Sequence, residues 1–108
     1  MDKRLKKQKD FDLVFNKGKR IYTKTLTLIV LEKKESLKFG ISLSKKHGKA
    51  VIRNRIKRLI RAAFKCYEKC VENSYYIVIL PKIAEKYDFW QFKNDMEFAL
   101  KKGKIIND

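Results

Sequence analysis

The spacing of hydrophobic and polar positions changes several times along the chain, and each change marks a predicted element. The first segment predicts a short helix that carries Phe11, Val14 and Phe15 on one face. Asp10 is its expected N-terminal cap and Gly18 its expected end. An aromatic pair four residues apart is typical of a core-facing helix, and a ligand-facing role for the same pair stays open.

Two strands are predicted next. Residues 23–31 alternate and are rich in β-branched side chains, with Leu26, Leu28 and Val30 on one face and Thr25, Thr27 and Ile29 on the other. Lys33–Ser36 is expected to form a hairpin turn. Residues 37–44 then alternate again, with Phe39, Ile41 and Leu43 on one face and Lys38, Gly40 and Ser42 on the other.

A long helix and a buried strand follow. Residues 51–71 show helical periodicity in their apolar positions, which are Ile52, Ile56, Leu59, Ile60, Ala63, Phe64, Tyr67 and Val71. Tyr75–Leu80 is a nearly continuous apolar run, which favours a strand buried on both faces, and Pro81 is expected to end it.

The last element is a helix capped by Asp88 and ended by Gly103, with Phe89, Phe92, Met96 and Leu100 on its buried face. The order is α-β-β-α-β-α, with room for a further short strand at residues 20–22. The expected fold class is α/β (α+β): a two-layer sandwich of three helices and a small mixed sheet of about four strands. No linker or repeat divides the sequence, so residues 1–108 are expected to form a single domain.

Charge narrows the choice of partner. The chain has 28 Lys and Arg against 12 Asp and Glu, a net charge of +16. A charge of that size favours a polyanion, either nucleic acid or an anionic membrane. The apolar runs are too short to span a bilayer, and no secretory signal is visible, so we expect a cytoplasmic protein with no membrane partner.

The chain offers little for protein-based catalysis or metal binding. Cys66 and Cys70 are interpreted as reduced thiols of a cytosolic protein, because a zinc site needs about four ligands and His47 is the single histidine. His47 could act as a general base, but no second catalytic group lies near it in sequence, so a surface or phosphate-contacting role is favoured. We therefore expect no catalytic residue and no metal site in the protein itself.

The basic residues are segregated. No Asp or Glu occurs between Ser36 and Tyr67. On a helix, Asn54, Arg58, Arg61 and Lys65 fall opposite the apolar stripe, while Arg53 and Lys57 lie along one edge of it and Arg55 along the other. The preceding loop adds Lys45, Lys46 and Lys49, close to helix N–H groups that can bind phosphate. A solvated face of this kind normally carries acidic neighbours, so we predict that these residues contact nucleic acid.

The stretch FGISLSKKHGKAVIRNRIKRLIRAAF, from Phe39 to Phe64, is similar to the signature of the bacterial ribonuclease P protein family, with Arg53-Asn54-Arg55 at its centre. The segment Arg4-Leu5-Lys6-Lys7, followed by Asp10-Phe11 and Val14-Phe15, also resembles that family. The resemblance covers most of residues 4–64. Beyond Phe64 it extends to the pattern alone.

The resemblance implies a fold, partners and a division of labour. The expected fold has a left-handed β-α-β crossover, an exception to the usual right-handed rule. The expected partners are the catalytic RNA subunit of ribonuclease P and precursor tRNA, with no DNA, and the expected cofactor is Mg²⁺ held mainly by RNA. The basic helix would meet the catalytic RNA. Phe11, Phe15, Thr27 and Ile29 would line a cleft for the 5′ leader, with Ile29 standing where some members have an aromatic residue.

Three other classes stay open at this point. A general RNA-binding or ribosomal-type protein fits the composition and fold class equally well. A DNA-binding regulator would need a helix just before the basic helix, where residues 37–44 predict a strand instead. A standalone nuclease would need a catalytic constellation that the sequence does not offer.

Overall fold

The computed structural model describes residues 3–34, 36–72 and 74–107, and within them the chain forms three α-helices and one four-stranded sheet. The helices are α1 (Gln8–Lys17), α2 (Ala50–Lys65) and α3 (Phe89–Lys102), and the strands are β1 (Lys19–Tyr22), β2 (Leu26–Glu32), β3 (Leu37–Ile41) and β4 (Tyr75–Pro81). Short 3₁₀ turns occupy Lys45–His47 and Glu68–Cys70. The predicted fold class is confirmed, including the short additional strand β1.

The sheet has the order β1-β2-β4-β3. β1 pairs antiparallel with β2, β2 pairs antiparallel with β4, and β3 pairs parallel with β4. β4 occupies an inner position because its apolar run can be buried on both faces. Ile77 and Ile79 contribute to the core on one face, and Tyr76 and Val78 to the core on the other.

The predicted β2–β3 hairpin is wrong, because β4 lies between the two strands. The segment between them makes its hydrogen bonds to the start of β4: Lys33 N–H donates to Ser74 O at 2.7 Å, and Tyr75 N–H donates to Ser36 O at 2.8 Å. Glu35, within the predicted turn, lies outside the described residues. The more polar β3 is left nearer the edge of the sheet, while the fully apolar β4 takes the inner position.

Helices cover both faces of the sheet. α2 and α3 pack with Leu26, Leu28 and Phe39 in the larger core, where Phe39 and Phe64 stack with ring centroids 4.3 Å apart. α1 covers part of the other face through Val14, which is fully buried. β3, α2 and β4 form a β-α-β unit with parallel strands. The left hand of that crossover stays a prediction.

Several element boundaries differ from the predictions. α1 begins at Gln8, so Asp10 lies in its first turn, where the helix dipole favours a carboxylate, and does not cap it. β2 begins at Leu26 because residues 23–25 turn, with Thr23 Oγ donating to Leu26 O. β3 ends at Ile41. Gly18, Asp88 and Gly103 take the cap positions that the sequence predicts.

α2 ends at Lys65, six residues before its predicted end, because the chain must turn back toward β4. Tyr67 is still buried beyond that point and its hydroxyl donates to Glu97 Oε1 on α3 at 3.1 Å. Burial, together with the hydrogen bond and charge of Glu97, raises the pKa of Tyr67 to about 12. Tyr67 therefore ties the end of α2 to α3 without extending the helix.

The N-terminal segment pairs with the outer edge of β3 and so widens the sheet by a short bridge. Arg4 bridges to Phe39 in parallel orientation, with Leu5 N–H donating to Phe39 O at 2.8 Å and Phe39 N–H donating to Lys3 O at 2.9 Å. Leu5 is buried in the core beneath α1. This pairing places the basic residues around Leu5 at the free edge of β3. None of the described helices is both long and apolar enough to cross a membrane.

Candidate nucleic-acid interface

One face of α2 packs in the hydrophobic core and the other carries its charged residues, as the sequence predicts. Ile56, Ile60, Ala63 and Phe64 are buried. The remaining candidates are exposed or half-buried: Asn54, Arg55, Arg58, Arg61 and Lys65 are exposed, and Arg53 and Lys57 are half-buried. Ile52, which was predicted to belong to the apolar stripe, is 44% exposed at the start of the helix. α2 therefore presents a broad cationic surface that no carboxylate on the same helix neutralises.

The loop before α2 holds its lysines at the helix N-terminus. Lys45, Lys46 and Lys49 are all exposed. Ser44 caps the 3₁₀ turn by accepting a hydrogen bond from Lys46 N–H at 3.2 Å. Gly48 has φ +118°, a conformation that favours glycine, and the turn it makes leads directly into α2. The loop cations and the positive end of the α2 dipole therefore lie together.

His47 has a structural role that the sequence did not reveal. Its Nδ1 accepts a hydrogen bond from Ser44 N–H at 3.1 Å, and its Nε2 donates to Pro81 O at 2.7 Å. The first bond requires an unprotonated Nδ1 and the second a protonated Nε2, which defines the neutral tautomer. Both ring nitrogens are engaged in fastening the basic loop to the end of β4, and the ring keeps a half-buried position near the surface, so its predicted contact with phosphate stays a prediction.

A groove runs between α1, the end of β3 and the edge of α2; we call it the α1–α2 groove. It consists of two adjoining cavities of about 260 and 230 Å³ that share Phe11, Ile41 and Lys57. Its other lining residues are Arg4, Leu5, Lys6, Gln8, Phe15, Phe39, Gly40, Ser42, Leu43, Arg53 and Arg61. Half-buried aromatic rings on one side thus face cationic side chains on the other.

Arg53 contributes an unusual donor to this groove. Its Nε is buried and has no hydrogen-bond partner among the described residues. A buried donor without a partner is costly and uncommon in folded proteins. An anionic group lying in the α1–α2 groove could satisfy it.

The structure brings two of the four predicted leader-cleft residues to the groove and buries the other two. Phe11 and Phe15 are half-buried and line the groove. Ile29 is fully buried next to the end of α1, and Thr27 is only 7% exposed. α1 packs over this part of β2, so the second wall of the groove is formed by the end of β3 and by Arg53 and Lys57 instead.

Three basic residues that the sequence did not assign to this site also contribute to it. Arg4 and Lys6 line the groove because the N-terminal segment pairs with β3, a long-range contact that leaves no local periodicity. Arg20 on β1 places its guanidinium 6.0 Å from the centroid of the Phe15 ring. The sequence signal for Arg4 and Lys6 is their place in the segment Arg4-Leu5-Lys6-Lys7 that resembles the family.

Among the described residues, no group of three or more His, Cys, Asp or Glu side chains could hold a metal ion. Cys66 and Cys70 are free and exposed. The element that precedes α2 is a 3₁₀ turn after β3, so the described chain does not present the two-helix arrangement of a helix-turn-helix regulator. The geometry favours binding of a polyanion by the α2 face and the α1–α2 groove.

Comparisons with known proteins point in the same direction. The family model described as Ribonuclease P matches residues 1–104. The ribonuclease P protein component of Shouchella clausii is 38% identical over 97% of this chain and 88% of its own length, and that of Listeria innocua is 40% identical over 95% and 89%.

Solved structures agree. The RNase P protein of Staphylococcus aureus superposes with a TM-score of 0.87 at 32% identity, covering 99% of this chain and all of the other. The RNase P protein from Thermotoga maritima superposes with a TM-score of 0.81 at 28% identity, covering 92% and 96%.

Proposed function

Because the chain belongs to the family of ribonuclease P protein components, we propose that it binds the catalytic RNA of ribonuclease P and the 5′ leader of precursor tRNA, and that it assists removal of that leader. The observation that carries this proposal is the α1–α2 groove, where aromatic rings and cations face each other across a narrow channel. A channel of that kind suits a single strand, because rings contact bases while cations neutralise phosphates.

The two cationic surfaces have different shapes, which supports two different RNA contacts. The exposed face of α2 with Asn54, Arg58 and Lys65 is convex and suits the backbone of a structured RNA. The groove is concave and includes Phe11 and Phe15, which suit unpaired bases. Lys57 and Arg61 line the groove from α2, so the two RNA contacts would lie side by side.

In this proposal the RNA partner holds the active site. The side chains that line the groove are cationic or apolar, apart from the neutral polar Gln8 and Ser42, and the lining includes no carboxylate or histidine that could act as a general base. His47 already uses both ring nitrogens in structural hydrogen bonds, so it is not poised as a general base. The protein would contribute substrate binding, and the RNA would contribute the chemistry.

Mg²⁺ would be held mainly by the RNA partner and the substrate, where it supplies Lewis-acid stabilisation of the reacting phosphate. The described residues of the protein offer no carboxylate cluster that fits the ion. What Lys57, Arg53 and their neighbours can do is lower the repulsion between leader and catalytic RNA. Cleavage would then need less free Mg²⁺ to screen the same phosphates.

Reconstitution tests this function directly. The protein is combined with the catalytic RNA of ribonuclease P from the same organism, and cleavage of precursor tRNA is followed as Mg²⁺ is lowered. We expect the protein to sustain cleavage at Mg²⁺ concentrations where the RNA alone is nearly inactive. Identical Mg²⁺ dependence with and without the protein would contradict the proposal. Cleavage by the protein alone would contradict the assignment of the active site to the RNA.

A further inference from the structure

β1 presents a second aromatic and basic surface on the side of the sheet that carries α1. Ile21 is 4% exposed and belongs to the larger core with α3. Since side chains alternate along a strand, Arg20 and Tyr22 project from the opposite face. The position of the Arg20 guanidinium, 6.0 Å from the centroid of the Phe15 ring, supports this orientation.

Tyr22 lies at the end of a row of residues that begins in the α1–α2 groove. Tyr22 is opposite Thr27, and Thr27 is opposite Leu80. Ser42 lines the groove beside Phe15, and its N–H donates to Ile79 O at 3.0 Å, which places it next to Leu80. The row therefore leads from the groove across β4 and β2 to the edge strand β1.

Among the strand residues of this row, the side chain at the β1 end is the most exposed to solvent. Thr27 is buried, Leu80 is half-buried, and Tyr22 is 62% exposed. Ile29, the position at which the resemblance placed a leader contact, is fully buried and offers no surface for a base. Tyr22 is thus the aromatic ring that this face of β1 and β2 can offer to a ligand.

We propose that β1 continues the leader-binding surface beyond the groove and that Tyr22 is a base-stacking residue for single-stranded RNA. This rests on the proposed function, since the occupant is the leader of precursor tRNA. Arg20 and Tyr22 are two residues apart on a strand, roughly 7 Å, so a phosphate near the cation leaves an adjacent base within reach of the ring. The protein has a net charge of +16, which favours an anionic RNA strand on this surface over a protein partner that lacks acidic residues.

The test measures affinity for precursor and mature tRNA in the complex reconstituted with catalytic RNA, using wild-type protein, Tyr22→Ala and Tyr22→Phe. Trp90→Ala is the matched control, because Trp90 is 64% exposed and lies on α3, across the sheet. We expect Tyr22→Ala to lower the ratio of precursor to mature affinity about 5- to 150-fold, the range of one stacked base. Tyr22→Phe and Trp90→Ala should keep the wild-type ratio.

A second measurement uses leaders in which one base at a time is replaced by an abasic site. Wild-type protein should lose affinity at the position that stacks on Tyr22, and Tyr22→Ala should be insensitive at that same position. An unchanged ratio in Tyr22→Ala, or equal abasic sensitivity in both proteins, overturns the assignment of Tyr22. The proposed function survives that result if wild-type protein still lowers the Mg²⁺ requirement, so the two failures are distinguishable.

Discussion

The ring of Phe11 lies directly against Gly40, so closely that a Cβ at position 40 would stand 2.6 Å from Cζ of that ring. Gly40 is therefore required by the close approach of a side chain and not by an unusual φ. The contact sets the position of Phe11 where the two cavities of the α1–α2 groove meet. A backbone position on β3 thus controls the aromatic wall contributed by α1.

Gly40→Ala should destabilise the protein by about 1–3 kcal/mol, because the added methyl group must displace the Phe11 ring from a packed site. Urea unfolding followed by circular dichroism measures the change. Phe11→Leu in the same chain should restore part of the loss, since a smaller side chain leaves room for the methyl group. Strictly additive effects of the two substitutions would show that they do not share this contact.

Arg58→Ala should weaken binding to the catalytic RNA and flatten the dependence of log affinity on log salt by about 0.7–0.9, the contribution of one phosphate contact. Arg58 is exposed on the cationic face of α2, so its removal should leave folding unchanged. Lys102→Ala, which removes the same charge from α3, is the control and should not change the slope. Equal slopes for wild type and Arg58→Ala would remove this part of α2 from the interface.

His47→Ala should cost about 1–2 kcal/mol of stability, because it removes the bonds that fasten the basic loop to Ser44 N–H and Pro81 O. The chemical step of cleavage in the reconstituted enzyme should stay within about tenfold of wild type, a barrier change of at most about 1.4 kcal/mol. Single-turnover kinetics at saturating protein separates the two effects. A loss of several thousandfold in the chemical step would reveal a catalytic role for this histidine.

Tyr67→Phe should lower stability at neutral pH by about 1 kcal/mol, through loss of the hydrogen bond to Glu97. The folded-state pKa of Tyr67, about 12, lies above the ordinary value of 10.0, so the folded protein holds this proton more tightly. That stabilisation is fully present below pH 10 and is lost as the pH rises toward 12. The difference in unfolding free energy between wild type and Tyr67→Phe should therefore shrink across this range, and a constant difference would contradict the assignment.

Local pattern was sufficient for much of the fold. The amphipathic period of α2, the apolar run of β4 and the caps at Asp88 and Gly103 are each encoded by neighbouring residues, and the structure confirms them. The placement of β4 between β2 and β3 is not encoded in that way. It depends on which strand is apolar enough to occupy the inner position of the sheet. The local sequence of residues 33–36 contains no information about that competition.

The candidate site likewise combines features that the local sequence predicts with features that depend on long-range packing. The cationic face of α2 follows from helical geometry, so Asn54, Arg58 and Lys65 lie where the sequence predicts them. The groove depends on how α1 crosses the sheet, which decides that Ile29 is buried while Tyr22 is exposed. Alternation along a strand distinguishes the two faces of a sheet but does not indicate which part of a face a helix covers.

The most direct test of leader binding in the α1–α2 groove is the ratio of precursor to mature tRNA affinity in Phe15→Ala, measured in the complex with catalytic RNA. Phe15 is half-buried, so the folded fraction must first be established by circular dichroism, and Phe98→Ala on α3 serves as the matched aromatic control. We predict that Phe15→Ala weakens precursor binding by roughly 0.5–2 kcal/mol while mature tRNA binding hardly changes. A wild-type ratio in folded Phe15→Ala and in folded Phe11→Ala would contradict the account, because these rings would then be core residues and the leader would bind elsewhere.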